Sequence, residues 1–315
     1  MKLCIVVPCY NEEAVLNITA EKLKQCLAEL EKKEKIEPGS RVVFVDDGSS
    51  DSTWKLISGL SCGRVFDGIK LSRNCGHQNA LLAGLLTVKD GFDAVISMDA
   101  DLQDDISAVE KMVDEYKNGA DIVYGVRSSR KKDSLFKRTS AAAFYKLMDS
   151  STVYNHADFR LMSRRALDAL SEFSEVNLFL RGIVPMIGLK TATVYYERGE
   201  RAAGESKYPL KKMLSLAFEG ITSLSIKPIQ IIIKLGFILS LIGVGIIIYS
   251  LIQHFLDNTN AGWTSIFASI WMLDGLQLIA IGVIGKYIGK IYLETKRRPR
   301  YIIEKNTMDE KNLPQ

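Results

Sequence analysis

Two long apolar runs towards the C-terminal end constrain this chain more than any other feature. Ile229–Phe255 is apolar apart from Lys234 near its start and a Gln–His pair near its end, and Thr264–Tyr287 is a second such run. Each exceeds the roughly 20 residues that an α-helix needs to cross a bilayer. Helices buried in a soluble core seldom run this long. We therefore predict two transmembrane helices within residues 227–290.

The charges around these runs predict their orientation. Lys and Arg residues precede the first run and follow or close the second, whereas the connecting residues Leu256–Trp263 contain neither. By the positive-inside rule both chain ends are cytosolic. The chain would be a multi-pass protein of the inner (cytoplasmic) membrane, with a cytosolic domain before the helices and a basic cytosolic tail at 291–315. The cations are Lys211, Lys212, Lys227, Lys234, Lys286, Lys290, Lys296, Arg297, Arg298 and Arg300.

One acidic residue is unexpected in the second run. Asp274 lies near its middle, where a charge is costly and is usually paired or functional. Glycines such as Gly243 and Gly282 allow close helix packing, and hence a homo-oligomer through these helices. Two explanations stay open for Asp274: a protonated carboxyl at a helix–helix contact, which we favour, or a role in transport.

Charge and cysteine content exclude two other classes of protein. The net charge of +4 is too small to indicate a nucleic-acid partner, because the basic residues cluster around the apolar region. The five cysteines are scattered and form no C-x-x-C pair, so neither a cysteine metal site nor a disulfide framework is indicated.

The first half of the chain alternates between apolar runs and amphipathic stretches. Such alternation predicts right-handed crossovers and a mostly parallel sheet in an α/β domain. The predicted strands are Leu3–Val7, Arg41–Val45, Arg64–Leu71, Ala94–Met98 and Asp121–Tyr124. The predicted helices are Glu13–Lys33, Ser52–Leu60, Gln78–Val88 and Ile106–Lys117.

Polar clusters follow four of the predicted strands. They are Pro8–Glu12, Asp46–Ser49, Ser72–Asn74 and Asp99–Gln103. Any one of them could be ordinary turn chemistry. In a parallel sheet, however, ligands bind at the carboxyl ends of the strands, so four clusters there predict one shared ligand site.

The Asp99-Ala100-Asp101 segment has the clearest chemical meaning. In an extended backbone, residues i and i+2 point the same way, so both carboxylates could meet one ion. Oxygen ligands suit Mg²⁺ or Mn²⁺, which also bind phosphate oxygens. D-x-D also occurs by chance in many acidic loops, but its position after an apolar strand favours a divalent-metal site, which would neutralise a departing nucleoside diphosphate.

These motifs resemble those of family-two glycosyltransferases with the GT-A fold. The similar segments are Val7–Glu13, Val45–Thr53 and Met98–Asp104. Four further segments resemble the polyprenyl-phosphate glycosyltransferases, and the paired C-terminal helices resemble those of bacterial undecaprenyl-phosphate (bactoprenol) glucosyltransferases. These segments are Ser72–Gln78, Asp158–Leu161, Gly204–Tyr208 and Arg298–Tyr301. The resemblance implies a Rossmann-like GT-A domain at residues 1–208, followed by interfacial helices and the transmembrane hairpin.

The resemblance also implies a role for each matching residue. Asp158 would be catalytic, either as a base or by orienting Arg160 or the sugar. The metal would be held by Asp99, Asp101 and Gln103, and the acceptor phosphate by Arg127 and Arg138. The nucleotide-sugar donor would be bound by Pro8, Tyr10, Glu12, Asp46, Asp47, Ala100, Arg201 and Lys207. Asp105 departs from the family, which usually has Pro there, and this change is expected to loosen the loop beyond the metal site.

Two amphipathic basic stretches are candidates for contact with a lipid surface. Ser134–Met148 and Pro209–Ile226 each combine apolar residues with Lys or Arg. Such helices lie in the membrane interface, although packing against the domain's own core is an alternative for each. An interfacial position would bring the site to a lipid phosphate.

The expected reaction is metal-dependent, inverting transfer of a sugar to undecaprenyl (polyprenyl) phosphate at the cytosolic face. UDP-glucose is the first expectation for the donor, with UDP-N-acetylglucosamine, UDP-galactose, an aminoarabinose donor or GDP-mannose as alternatives. A processive polysaccharide synthase is disfavoured, since the chain lacks both a Q-x-x-R-W segment and additional membrane helices. A non-catalytic membrane adaptor is disfavoured because both acidic metal ligands are present.

Overall fold

The structure is a computed structural model that describes residues 1–128, 156–175, 179–197, 227–255 and 262–311. An eight-stranded sheet forms the core of the first of its two compact units. The strands are β1 (Leu3–Cys9), β2 (Arg41–Asp46), β3 (Phe66–Leu71), β4 (Ala94–Ser97), β5 (Ile122–Arg127), β6 (His156–Ser163), β7 (Thr191–Tyr196) and β8 (Ile303–Asn306). The helices are α1 (Leu16–Lys32), α2 (Thr53–Leu60), α3 (His77–Val88), α4 (Ala108–Lys117), α5 (Arg164–Ser171), α6 (Leu180–Met186), α7 (Lys227–Phe255), α8 (Trp263–Thr295) and α9 (Thr307–Lys311).

The strand order is β7-β5-β6-β4-β1-β2-β3-β8. Strands β1 to β4 are parallel to one another, and β5 pairs in parallel with β7. Among the described strands, β6 runs antiparallel to β4 and β5, and β8 runs antiparallel to β3. The sheet is of the GT-A type, and the predicted mostly parallel α/β domain is confirmed.

Helices cover both faces of the sheet because side chains along a strand alternate between its two faces. In β1, Leu3, Ile5 and Val7 belong to the core shared with α1, α2 and α4. Cys4 and Val6 point to the opposite core, formed with α3, α5 and α6. Both faces of β1 are fully buried, as a central parallel strand requires.

Three strands were not predicted from the sequence. Strand β6 contains the buried polar residues Asp158 and Arg160, which interrupt an apolar pattern. Strand β7 is an edge strand, and only Val194 and Tyr196 are buried in its alternating sequence. The nine other elements of the first half lie within a few residues of the predicted bounds.

The third unpredicted strand, β8, brings the end of the chain back to the sheet. It runs antiparallel to β3, and the Ser72 N–H donates to the Ile302 carbonyl at 3.0 Å. The Gly68 N–H donates to Thr307 Oγ1 at 2.8 Å, within the protein interior. The predicted basic tail therefore contains an edge strand of the first domain.

The long helices α7 and α8 belong to a second unit and coincide with the two apolar runs. Among the described residues, the segment Leu273–Thr295 of α8 is long and apolar enough to cross a membrane, with a mean hydropathy of 1.4. A shorter apolar segment, Pro228–Ile238, lies in α7. Composition thus supports one spanning segment, and the two-helix hairpin stays a prediction. Asp274 is exposed on α8.

Candidate active site

The loops that follow β1 and β2 are joined by hydrogen bonds at the carboxyl edge of the sheet. The Asn11 N–H donates to Ser49 Oγ, and the Ser50 N–H donates to Asn11 Oδ1, both at 2.9 Å. Asn11 has a φ of 55°, a conformation that asparagine tolerates better than most residues. These two loops therefore form a single wall of the site.

The loop after β3 is attached to this wall through Asp47. Its carboxylate accepts the N–H of Cys75 at 2.7 Å and that of Gly76 at 2.9 Å. Gly48 makes this approach possible, because a Cβ there would lie 2.6 Å from the backbone of Arg73 and its φ is +68°. Asp47, predicted to contact the donor, thus has both oxygens engaged in holding the β3–α3 loop.

The other predicted donor residues lie along the same edge. Pro8 is buried in β1, whereas the Tyr10 side chain is 49% exposed. The Glu12 N–H donates to Thr53 Oγ1 at 2.9 Å, which ties the first loop to α2. The Ala100 carbonyl accepts from Thr19 Oγ1 at 2.8 Å.

Asp46 is fully buried beside them. Its Oδ1 accepts the Ser49 N–H at 3.3 Å, and its Oδ2 is buried with no hydrogen-bond partner within the described part of the chain. Burial raises the pKa of this carboxyl. A buried oxygen without a partner calls for an explanation, and a hydrogen bond from a bound molecule is one such explanation.

The predicted metal residues lie in a turn after β4 and not in extended backbone as expected. The strand ends at Ser97, and Ala100 and Asp101 already belong to the turn. Leu102 has a φ of 56°, which is unusual for a leucine, and the Gln103 N–H donates to Asp101 Oδ1 at 3.2 Å. A turn, and not strand alternation, therefore positions Asp101 relative to Asp99.

Negative charge is concentrated at this turn. Burial raises the pKa of Asp99 to about 6; the carboxylates of Asp158, Asp104 and Asp101 raise it too, while His77 opposes them. Within the described residues, no group of three or more His, Cys, Asp or Glu side chains could hold a metal ion. Mg²⁺ commonly binds one or two protein carboxylates together with substrate phosphates and water. The donor set therefore fits a divalent cation that is bound jointly with a diphosphate.

Asp105, the departure from the family pattern, holds its loop. Its Oδ1 accepts the Ser107 N–H at 2.9 Å and its Oδ2 accepts the Ser107 hydroxyl at 2.7 Å. These bonds hold the backbone just before α4. In the family pattern, the ring of a proline at position 105 would restrict the same backbone. The expectation that Asp105 loosens the loop relative to proline stays a prediction.

Asp158 on β6 lies among cations. Arg160 Nη2 donates to Oδ1 at 2.7 Å, while Arg181 donates through Nε to Oδ1 at 3.2 Å and through Nη2 to Oδ2 at 2.9 Å. His77 Nε2 lies 3.7 Å from Oδ2 and 3.5 Å from Asp99 Oδ1. Burial alone would raise the pKa of Asp158, but His77 and the two arginines hold it well below 3.8.

Sequence reasoning assigned no role to His77 or Arg181. His77 stands in the Ser72–Gln78 segment, so its position at the carboxyl edge of β3 was a usable signal. Arg181 is the second residue of a short helix, α6, that no periodicity in the sequence distinguished, and 43% of its side chain is exposed. His77 joins the loop after β4 to Asp158, and Arg181 pairs with Asp158 from α6.

Arg127 occupies the end of β5, next to the same loop. Its Nη2 lies 3.4 Å from Asp104 Oδ1, and 27% of its side chain is exposed. The predicted residues Arg138, Arg201 and Lys207 lie outside the described residues, as do the stretches 134–148 and 209–226.

The class of protein, a glycosyltransferase, follows from the comparison with known families and relatives. The model of glycosyl transferase family 2 matches residues 4–171, and the chain belongs to that family. The uncharacterized glycosyltransferase YkoT of Bacillus subtilis (strain 168) is 52% identical, over 99% of this chain and 94% of its own. The bactoprenol glucosyl transferase of Shigella phage SfX is 39% identical, over 96% of this chain and 99% of its own. Mannosyl-3-phosphoglycerate synthase from Rubrobacter xylanophilus aligns with a TM-score of 0.47 at 16% identity, over 71% of this chain and 73% of its own.

Proposed function

We propose that the chain transfers a sugar, glucose first among the candidates, from a nucleotide-sugar to a polyprenyl phosphate at the cytosolic face of a membrane. The observation that carries the proposal is the convergence of the Asp99–Asp101 turn, Asp158 and Arg127 at one edge of the sheet. The near full-length similarity to a protein named bactoprenol glucosyl transferase supports the acceptor class.

The donor would bind across the first two loops. Tyr10 offers an exposed ring on which a nucleobase can stack, and Asp46 Oδ2 is a buried acceptor without a partner among the described residues. An N–H of the base or a hydroxyl of the ribose would complete the hydrogen bonding of that oxygen. We assign Arg201 and Lys207 to closure over the diphosphate, on the family pattern.

The carboxylates of Asp99 and Asp101, with Gln103 beside them, would hold Mg²⁺ or Mn²⁺. When bound, such an ion neutralises the negative charge that builds on the departing diphosphate. The chain's own part is to fix both carboxylates through the Ala100–Thr19 bond and the turn at Leu102.

Asp158 orients cationic side chains in this account and does not abstract a proton. A phosphate monoester has a second pKa near 6, so the acceptor is already mostly dianionic at neutral pH. Asp158 has a strongly lowered pKa and accepts hydrogen bonds from Arg160 and Arg181, which makes it a poor base. Of the two roles left open by the sequence, the orienting role is the one we propose.

The membrane association rests on α7 and α8. Large apolar side chains on both helices are exposed, including Phe237 at 68% and Leu278 at 69%. Exposed apolar surface of this extent marks a membrane or protein contact. We propose that both helices span the bilayer with both chain ends cytosolic, on the charge distribution described above.

The experiment that tests the proposal uses the purified full-length protein. It is incubated with undecaprenyl phosphate, Mg²⁺ and each of five donors in turn, and the lipid is then analysed by mass spectrometry. The donors are UDP-glucose, UDP-N-acetylglucosamine, UDP-galactose, an aminoarabinose donor and GDP-mannose. A mass increase of one hexose with UDP-glucose is expected; an unchanged lipid with all five donors would overturn the proposal.

A further inference from the structure

Three side chains form a cluster beside the turn that carries Asp99 and Asp101, called the metal turn below. The proposed reaction does not use this cluster as a unit. The Tyr196 hydroxyl donates to Asp104 Oδ1, and Arg127 Nε donates to the Tyr196 hydroxyl oxygen at 3.3 Å. Arg127 Nη2 lies 3.4 Å from the same Asp104 oxygen. Each member therefore contacts the other two.

The backbone fixes this cluster from three directions. Arg127 and Tyr196 are the last residues of β5 and β7 and face each other in the parallel register. The N–H and hydroxyl of Ser128 both donate to the Tyr196 carbonyl at 2.9 Å, and the Phe159 ring packs edge-on against the Tyr196 ring at 5.3 Å. Asp104 arrives from the loop that carries Asp99 and Asp101.

The three members differ in burial: two are buried and one is partly exposed. Tyr196 is 3% exposed and the Asp104 side chain 1%, whereas the Arg127 side chain is 27% exposed. Asp104 Oδ2 is buried and has no hydrogen-bond partner in the described ranges. Burying a carboxyl and a phenol costs folding free energy unless their polar atoms are hydrogen-bonded. Apolar side chains would fill the same space at a lower cost, so packing alone does not account for Asp104 and Tyr196.

We propose that Asp104 and Tyr196 are positioning residues that hold the Arg127 guanidinium in place for the acceptor phosphate. The inference rests on the proposed function, in which Arg127 binds that phosphate. A guanidinium held by two neighbours loses less rotamer freedom when a phosphate binds, so its hydrogen bonds favour binding more. Asp104 belongs to the same loop as Asp99 and Asp101, so the cluster also connects the donor side of the site with the acceptor side.

The test is the Tyr196→Phe variant, which removes one oxygen and keeps the ring against Phe159. The KM for undecaprenyl phosphate should rise about tenfold, the effect of one hydrogen bond to a charged group, while the KM for UDP-glucose stays within about twofold. Tyr195→Phe is the matched control, because Tyr195 is adjacent but 64% exposed; both of its KM values should equal those of the parent. Asp104→Asn is a second variant for which the same selective rise is expected.

A double-mutant cycle with Arg127→Gln separates positioning from an independent role. If Tyr196 acts through Arg127, adding Tyr196→Phe to Arg127→Gln should change the lipid KM by less than about twofold. A full further tenfold rise, or a Tyr196→Phe protein with an unchanged lipid KM, would overturn the inference alone. If Arg127→Gln itself leaves the lipid KM unchanged, the assignment of Arg127 in the proposed function fails with it.

Discussion

Arg181 and Asp158 form a two-point ion pair, with Arg181 Nη2 2.9 Å from Oδ2 and Nε 3.2 Å from Oδ1. Asp158 also receives Arg160 Nη2 at 2.7 Å, so its oxygens are occupied by cations. A carboxylate in this setting gains little by taking up a proton. Its negative charge is better suited to holding Arg181 in a fixed orientation.

Replacing Arg181 by glutamine distinguishes an orienting Asp158 from a basic one. Arg181 lowers the pKa of Asp158, so its loss should raise that pKa. If Asp158 were the catalytic base, the acidic limb of the kcat/KM profile would therefore shift to higher pH. We expect kcat/KM to fall by about 10- to 100-fold, about 1.4–2.7 kcal/mol, with the acidic limb unmoved. Arg165→Gln, a 73% exposed arginine near Asp121, is the control. An upward shift of the limb in R181Q alone would identify Asp158 as the base.

The two carboxylates of the metal turn should be essential, and a neighbouring carboxylate should not. Asp99→Asn and Asp101→Asn remove charge that would hold the cation, and a loss of several kcal/mol corresponds to about 10³-fold or more in turnover. Asp105→Asn is the matched control, since an amide oxygen can still accept the Ser107 N–H; its rate should stay within about threefold. Steady-state rates at saturating Mg²⁺ measure this. Equal losses in all three variants would argue for a merely structural effect on the loop.

Glycine at position 48 should be required for the joined loops. In Gly48→Ala a Cβ would meet the backbone of Arg73 at 2.6 Å, and the φ of +68° is itself unfavourable for alanine. We expect a loss of stability of about 1–3 kcal/mol and weaker UDP binding by titration calorimetry. Gly59→Ala on α2, where nothing lies within 4 Å, should be neutral or slightly stabilising. Unchanged UDP affinity in G48A would show that the loop contact does not shape the donor site.

The tail that contains β8 and α9 should contribute to the stability of the first domain through Thr307, the first residue of α9. Thr307→Val leaves the buried Gly68 N–H without its acceptor, which costs about 1–3 kcal/mol. Thr191→Val, at an exposed position of the edge strand β7, is the control and should have little effect. Thermal unfolding in detergent, followed by tryptophan fluorescence, measures both. An unchanged midpoint in T307V would mean that the tail adds no stability through this bond.

The sequence predicts the central part of the fold because β1 to β5 are apolar runs with amphipathic helices between them. It predicts less where a strand carries buried charge, as β6 does with Asp158 and Arg160, because local patterning does not reveal that Arg181 from a distant helix compensates the carboxylate. The cluster of Asp104, Arg127 and Tyr196 is likewise non-local. Its members come from three separate segments, and only the register of β5 with β7 brings two of them together.

The turn that carries Asp99 and Asp101 differs from the extended backbone that the sequence predicted. Asp101 contributes to the raised pKa of Asp99, and a cation shared by the two carboxylates stays a prediction. The alternation of an extended strand does not position the two residues, because the backbone turns at Ala100 and Leu102 adopts a positive φ. A turn of this kind has no dependable signature in a single sequence.

The most direct test of the central claim is the transfer of radiolabelled glucose from UDP-glucose into extractable lipid by the purified protein. Undecaprenyl phosphate and undecaprenol serve as paired acceptors, each with Mg²⁺ and with EDTA. The predicted result is labelled lipid in one sample, the one that contains both undecaprenyl phosphate and Mg²⁺. The Asp99→Asn variant should lose this labelling. Equal labelling of undecaprenol, or full labelling in EDTA, would contradict a metal-assisted transfer to a lipid phosphate.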